Sequence, residues 1–139
     1  MTTTVKNIKT VVRRWHILDA RTESLGRLAS RAAQYLMGKN KVDFTPHVDM
    51  GDFVVVTYAA HMKLTGRKLF QKKYFHFSGY PGGIRETAMK DLLATRPEVI
   101  LREAVRRMLP KNKLRRMQLR RLKIVSEGTH SFKIDSAEI

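Results

Sequence analysis

Apolar positions along the chain change period several times, and each change marks an element. Trp15 to Leu18 alternates, with Trp15 and Ile17 on one face and His16 and Leu18 on the other, which predicts a short strand. Leu25, Leu28, Ala29, Ala32, Leu36 and Met37 then recur at helical spacing, opposite Arg27, Ser30, Arg31 and Gln34. Thr22 or Ser24 is placed to cap that helix and Gly38 to end it. After a polar loop containing Pro46, the run Phe53-Val54-Val55-Val56-Thr57-Tyr58 is continuous and β-branched, as in a strand covered on both faces. Strand, helix and buried strand make a βαβ unit, for which a right-handed crossover is expected.

The rest of the chain is read with weaker signals. Met62 to Thr65 and Tyr74 to Phe77 are strand candidates, and Ser78-Gly79-Tyr80-Pro81-Gly82-Gly83 is a loop. Helices are predicted over roughly 86–95 and 97–109, with Pro97 at the first position of the second and Glu103 placed to pair with Arg107. Asn112 is placed to cap a helix over 113–121, and Leu122 to Val125 reads as a last strand. Residues 1–12 read as a basic arm, 14–125 as the folded core and 128–139 as a loose tail, all within one domain over 1–139.

Charge changes this picture most. Among 139 residues, 28 Lys and Arg face 12 Asp and Glu, a formal net charge of +16. Such a surplus repels itself unless a polyanion neutralises it, and on a small folded domain that polyanion is first of all a nucleic acid. The distribution sharpens the point. No acidic residue lies between Asp52 and Glu86, where Lys63, Arg67, Lys68, Lys72, Lys73 and Arg85 fall. None lies between Glu103 and Glu127 either, and that window holds Arg106, Arg107, Lys111, Lys113, Arg115, Arg116, Arg120, Arg121 and Lys123. Lys113, Arg116 and Arg120 sit at i, i+3 and i+7, one stripe of a helix. A solvated face ordinarily mixes signs, because like charges one turn apart repel. Tyr74, Phe75 and Phe77 interleave with Lys72, Lys73 and His76, as in surfaces that stack unpaired bases. Phe75 and Phe77 are nevertheless expected in the core, and Tyr80, in its Gly/Pro loop, is the better contact.

Candidate chemistry is thin. Without cysteine there are no disulfides or thiolate metal sites. The first 14 residues lack a signal-peptide core, and the longest apolar run is far short of the ~18 residues of a membrane span, so a soluble intracellular protein is expected. The five histidines show no metal-ligand spacing. His47 with Asp49 and Asp52 has the residue types of an acid–base site, but after Pro46 a turn held by side-chain hydrogen bonds is favoured. Thr65-Gly66-Arg67-Lys68 has only the end of a P-loop, and Gly26 alone is no dinucleotide fingerprint. Gly79 to Gly83 is suited to cradling a phosphate, more naturally one of an RNA backbone than of a nucleotide cofactor. An enzyme acting through His47 is the first competing reading. A peripheral membrane protein is the second, but Leu114, Met117, Leu119 and Leu122 are scattered around the basic helix rather than aligned.

Several motifs in register carry a resemblance. Trp15-x-Ile17-x-Asp19-Ala20, Leu25-Gly26-Arg27-Leu28-Ala29-Ser30 and Gly38-Lys39-x-Lys41 come first. Thr45-Pro46-His47-Val48-Asp49-x-Gly51-Asp52, Thr65-Gly66-x-Lys68, Ser78 to Gly83 and Met108-Leu109-Pro110 follow in order. Over residues 14–125 the chain resembles the bacterial-type family of large-subunit ribosomal protein thirteen. The resemblance implies an α/β fold, three-layer α/β/α around a small, mostly parallel four-stranded sheet. It implies large-subunit rRNA and neighbouring large-subunit ribosomal proteins as partners, early subunit assembly, no cofactor, no membrane, no small-molecule substrate and no catalysis. It implies the cytoplasm, in the ribosome; an organellar protein stripped of its transit peptide would look alike. Together with the charge pattern it gives Arg13, Arg14, Lys39, Lys41, His47, Arg67, Lys68, Lys72, Lys73, Tyr80 and Arg85 as RNA contacts, with all nine cations from Arg106 to Lys123. The chain departs from the family pattern at Arg107 and Arg115, where glycine is usual. After Val125 it departs again, with Thr129 to Ile134 replacing a His/Pro-rich ending.

Overall fold

The computed structural model describes residues 10–134 and 136–137, so most of the expected arm lies outside the described residues. The first unit forms as its periodicity requires. β1 (Trp15–Asp19) leads to α1 (Leu25–Met37) and on to β2 (Phe53–Thr57). The strands pair in parallel, Trp15 opposite Phe53 and Asp19 opposite Thr57. Ser24 stands at the N-cap in extended backbone, and Gly38 ends the helix in the left-handed region at φ 79°. A β-carbon on Gly38 would lie 2.7 Å from the Met50 carbonyl, so the turn is specific to glycine in both conformation and space.

Beyond β2, Tyr58 at φ 57° and a 3₁₀ turn over Ala59–His61 redirect the chain. The expected strand at 62–65 is therefore reduced to one bridge, Ser24 with Lys63. Next come α2 (Lys68–Gln71), β3 (Lys73–Phe77) and β4 (Ile84–Ala88), then α3 (Met89–Thr95), α4 (Pro97–Met108) and α5 (Leu114–Arg120). β5 (Leu122–Ile124) and β6 (Ser136–Ala137) complete the order. The helix expected from residue 86 starts only at Met89. Residues 84–88 form instead the second strand of an antiparallel hairpin, with Phe75 opposite Glu86 and Phe77 opposite Ile84. Asn112 accepts the Arg115 backbone N–H at 3.0 Å and so caps α5 as expected. Arg107 and Arg115 both lie inside helices, where the conformational freedom of glycine is not needed.

The main sheet has four parallel strands in the order β5-β2-β1-β6, and the β3–β4 pair stands apart from it. Its fourth strand comes from the stretch read as a loose tail, Ser136 pairing with His16 and Ala137 with Ile17. On one face Leu18, Val54 and Val56 share a buried cluster with Leu28, Leu36, Met89, Ile100, Leu101 and Val105, drawn from α1, α3 and α4. Fully burying an aliphatic side chain contributes roughly 1.5–3 kcal/mol, so this cluster is the principal source of stability. On the opposite face Trp15 lies flat on Phe53 at 4.3 Å, and Phe132 of the C-terminal segment stacks on Trp15 at 5.5 Å.

Candidate nucleic-acid interface

The cationic window folds into α4, α5 and β5, and its residues divide by partner. Glu103, at its boundary, takes Arg106 at 2.7 Å and reaches Arg107 at 3.8 Å, so Arg106, not Arg107, makes the close pair. Lys111, Lys113, Arg116 and Arg120 are exposed, and Arg115 is half-buried. Among the described residues none of these five has an acidic partner within 4 Å. Lys113, Arg116 and Arg120 keep the stripe that their spacing predicts, on the exposed side of α5.

Arg121 departs from expectation. Helical spacing carries the inward row of α5 from Leu114 through Gln118 to Arg121, and both Gln118 and Arg121 are buried. The Arg121 guanidinium clamps the Asp49 carboxylate with both terminal nitrogens, one at 2.7 Å, and its Nη2 also reaches the Leu36 carbonyl at the end of α1. Covered by protein, it is not available to a phosphate, a correction to the sequence reading. Two further expected contacts are also engaged internally. Arg13 donates to the carbonyls of Gly51 and Asp49. The Lys41 ammonium sits 2.6 Å from Asp52 and donates to the carbonyls of Val12 and Met50.

Asp52 is buried, which alone would raise its pKa. Hydrogen bonds from Lys41, the Arg14 N–H and His16 outweigh burial and hold it below the ordinary carboxylate value. These contacts fasten the loop between α1 and β2 to β1 and to the start of β5. His47 is exposed, while both carboxylates of its motif are held by other residues. That arrangement is the hydrogen-bonded turn, with no His47 acid–base pair. Arg14 and Lys39 are exposed nearby.

The β3–β4 hairpin carries the second group. Arg67, Lys68, Tyr80 and Arg85 are exposed, Lys73 pairs with Glu86 across the strands at 2.9 Å, and Lys72 lies 5.3 Å from the Tyr74 ring. Tyr74 packs against the core, and burial pushes its phenol up. Phe75 and Phe77 are 68% and 62% exposed, contrary to the core expected for them. The alternation of the hairpin turns Tyr74 inward, and therefore turns Phe75 and Phe77, with Ile84 beside them, outward. The turn closes through the Ser78 N–H on the Gly83 carbonyl, and Gly79 and Gly82 both adopt positive φ.

Two residues missing from the sequence reading join the surface. Arg102 of α4 and Phe132 line a cavity of about 460 Å³ together with Arg116, Arg120 and Lys123. Arg102 falls just outside the acid-free window, and Phe132 lies where the resemblance ends, so neither pattern singled them out. Among the described residues no His, Asp and Glu cluster is arranged to hold a metal ion, and no helix is long and apolar enough to cross a membrane.

Comparison with known proteins bears on the whole of this architecture. The family model of ribosomal protein L13 matches residues 13–131. The large ribosomal subunit protein uL13 of Syntrophomonas wolfei is 48% identical over 139 residues, all of this chain and 96% of the relative. That of Rubrobacter xylanophilus is 51% identical over 120 residues, 86% of this chain and 84% of the relative. That of a Parafrankia strain is 53% identical over 120 residues, covering 86% and 82%. With motifs, sheet and match coinciding over almost its full length, the chain belongs to the ribosomal protein L13 family.

Proposed function

We propose that this protein is a structural constituent of the large ribosomal subunit that binds large-subunit rRNA and supports early subunit assembly. It is a component of the particle and not an enzyme, and its place is the cytoplasm, within the ribosome. Neighbouring large-subunit proteins are its other partners. The observation that carries the reading is the exposed stripe Lys113, Arg116 and Arg120 on α5, flanked by Lys111 and Arg115, with no acidic partner among the described residues. The hairpin adds Arg85 and Tyr80, and the start of α2 before it adds Arg67 and Lys68, where stacking and phosphate contacts can combine. Residues 1–139 act as one domain that carries both surfaces.

Phosphate anchoring releases counterions, so binding should fall steeply with salt and depend little on sequence. Each lost phosphate contact lowers the log–log salt slope by about 0.7–0.9, so Arg116→Ala with Arg120→Ala should flatten it by roughly 1.5. Filter binding of a large-subunit rRNA fragment across a salt series measures this. An unchanged slope with the fold intact would place the anchor elsewhere.

A further inference from the structure

We propose that the cavity between α4, α5, β5 and Phe132 receives a single unpaired RNA nucleotide, its base on the apolar floor and its flanking phosphates on the surrounding cations. This inference rests on the RNA-binding reading above and names a subsite within it. Arg102, Arg116, Arg120 and Lys123 line the cavity without any Asp or Glu, and among the described residues none of the four forms an ion pair. Between the cations the lining is apolar, from Leu119, Leu122, Ile124 and Phe132.

That combination matches one chemistry. A purely phosphate-binding surface has no use for an apolar floor ringed by charge, and an apolar docking groove for a protein helix would not carry four cations and no anion. A nucleotide has both parts, a flat, weakly hydrated base and a phosphate on each side of it. The volume, about 460 Å³, falls in the roughly 300–1,000 Å³ range of clefts that enclose small molecules. A base still paired in a duplex presents only its edge, so the occupant must be an unpaired nucleotide from a loop, bulge or strand end.

Phe132 decides whether the site exists. Its ring is held in place by Trp15, which in turn rests on Phe53 of the sheet. The wall is therefore a fixed surface, although it belongs to the C-terminal segment.

The test uses the whole chain and three RNA probes, each across a salt series: a ten-nucleotide single-stranded oligoadenylate, the same strand with three central abasic residues, and a duplex of equal length. Affinity is read by fluorescence anisotropy of end-labelled RNA. The unaltered protein should bind the abasic strand roughly tenfold more weakly than the base-bearing one, with the same salt slope because the phosphates are unchanged. The duplex, whose bases are paired, should bind with a steeper salt slope set by its phosphates and lose nothing in Phe132→Ala. Phe132→Ala should bring the base-bearing strand down to the abasic level, and Phe132→Leu, which keeps an apolar wall, should restore part of the gap. Equal affinity for base-bearing and abasic strands, both salt-dependent, would overturn the subsite while leaving RNA binding standing. So would a gap that persists undiminished in Phe132→Ala, since the base would then sit elsewhere. Failure of the unaltered protein to bind any of the probes would remove the RNA-binding reading itself and the subsite with it.

Discussion

Replacing Arg121 separates two roles that look identical in a run of basic residues. Arg121→Ala leaves the Asp49 carboxylate buried, with Arg13 at 3.7 Å as the remaining cation and no bidentate partner. It also removes the donor that reaches the Leu36 carbonyl at the end of α1. Removing one member of a buried ion pair destabilises by roughly 3–5 kcal/mol, and the residual Arg13 contact argues for the lower end, about 3 kcal/mol. With a urea m-value near 2 kcal/mol/M, the midpoint should fall by about 1.5 M while m stays constant. Asp49→Leu combined with Arg121→Met, which replaces both charges by apolar side chains, should recover most of that loss. The salt slope of RNA binding should be the same in both variants, measured where each is folded, because neither side chain faces solvent. A stable Arg121→Ala protein with a flattened salt slope would refute the reasoning and return Arg121 to the RNA-facing surface.

Three other expectations follow from the same geometry. Gly51→Ala would place a β-carbon 1.7 Å from the Leu36 carbonyl oxygen, backbone against backbone, and should destabilise by about 3 kcal/mol or more; a midpoint within error of the parent would show that the α1 end moves freely. Asp52 has a folded pKa below its unfolded value, so its contribution is fully present above the unfolded pKa, near 4, and is lost as pH falls through the lower folded value. Lys41→Met, removing a hydrogen bond that depresses that pKa, should move the acid-unfolding midpoint upward, as followed by circular dichroism; an unmoved midpoint would detach Lys41 from acid stability. Phe75→Ser and Phe77→Ser should each change stability by less than about 0.5 kcal/mol, because the rings are exposed, yet weaken RNA binding. A loss of 2 kcal/mol or more in a urea titration would mean that the rings are packed after all.

The elements that were legible in the sequence are those whose period is enforced by burial. β1, α1 and β2 each face the core along a regular row, so alternation, the 3.6-residue repeat and the continuous valine run could be read directly. β4 could not be. Ile84 to Thr87 are all exposed, and what makes them a strand is pairing with β3, which lies outside any local window. The outward Phe75 and Phe77 escaped for a related reason, since hydrophobic composition speaks for the core only where one side of the strand is buried. Among the candidate contacts, local sequence gives the sign of a charge but not its direction. The inward row Leu114, Gln118, Arg121 was present at helical spacing, and weighing it against the stripe of Lys113, Arg116 and Arg120 would have separated Arg121 from its neighbours. Arg13 and Lys41 offered no such signal, because their partners at Asp49 and Asp52 come from a loop whose path is set by tertiary contacts.

The position of β6 has a consequence for how this chain is made. β1 is an interior strand, yet one of its neighbours is supplied by Ser136 and Ala137, far downstream of it in the chain. Until then the outer edge of β1 presents unpaired backbone groups, a template for pairing with another nascent chain. Because folding proceeds from the N-terminus as the chain emerges, β1, α1 and β2 can assemble early and then wait with that edge open. Closing so long a loop adds little entropy beyond a shorter one, since that term grows only with the logarithm of length. The penalty of the topology is thus one of time rather than stability, and it bears most heavily on chains whose translation stalls before residues 136–137 emerge.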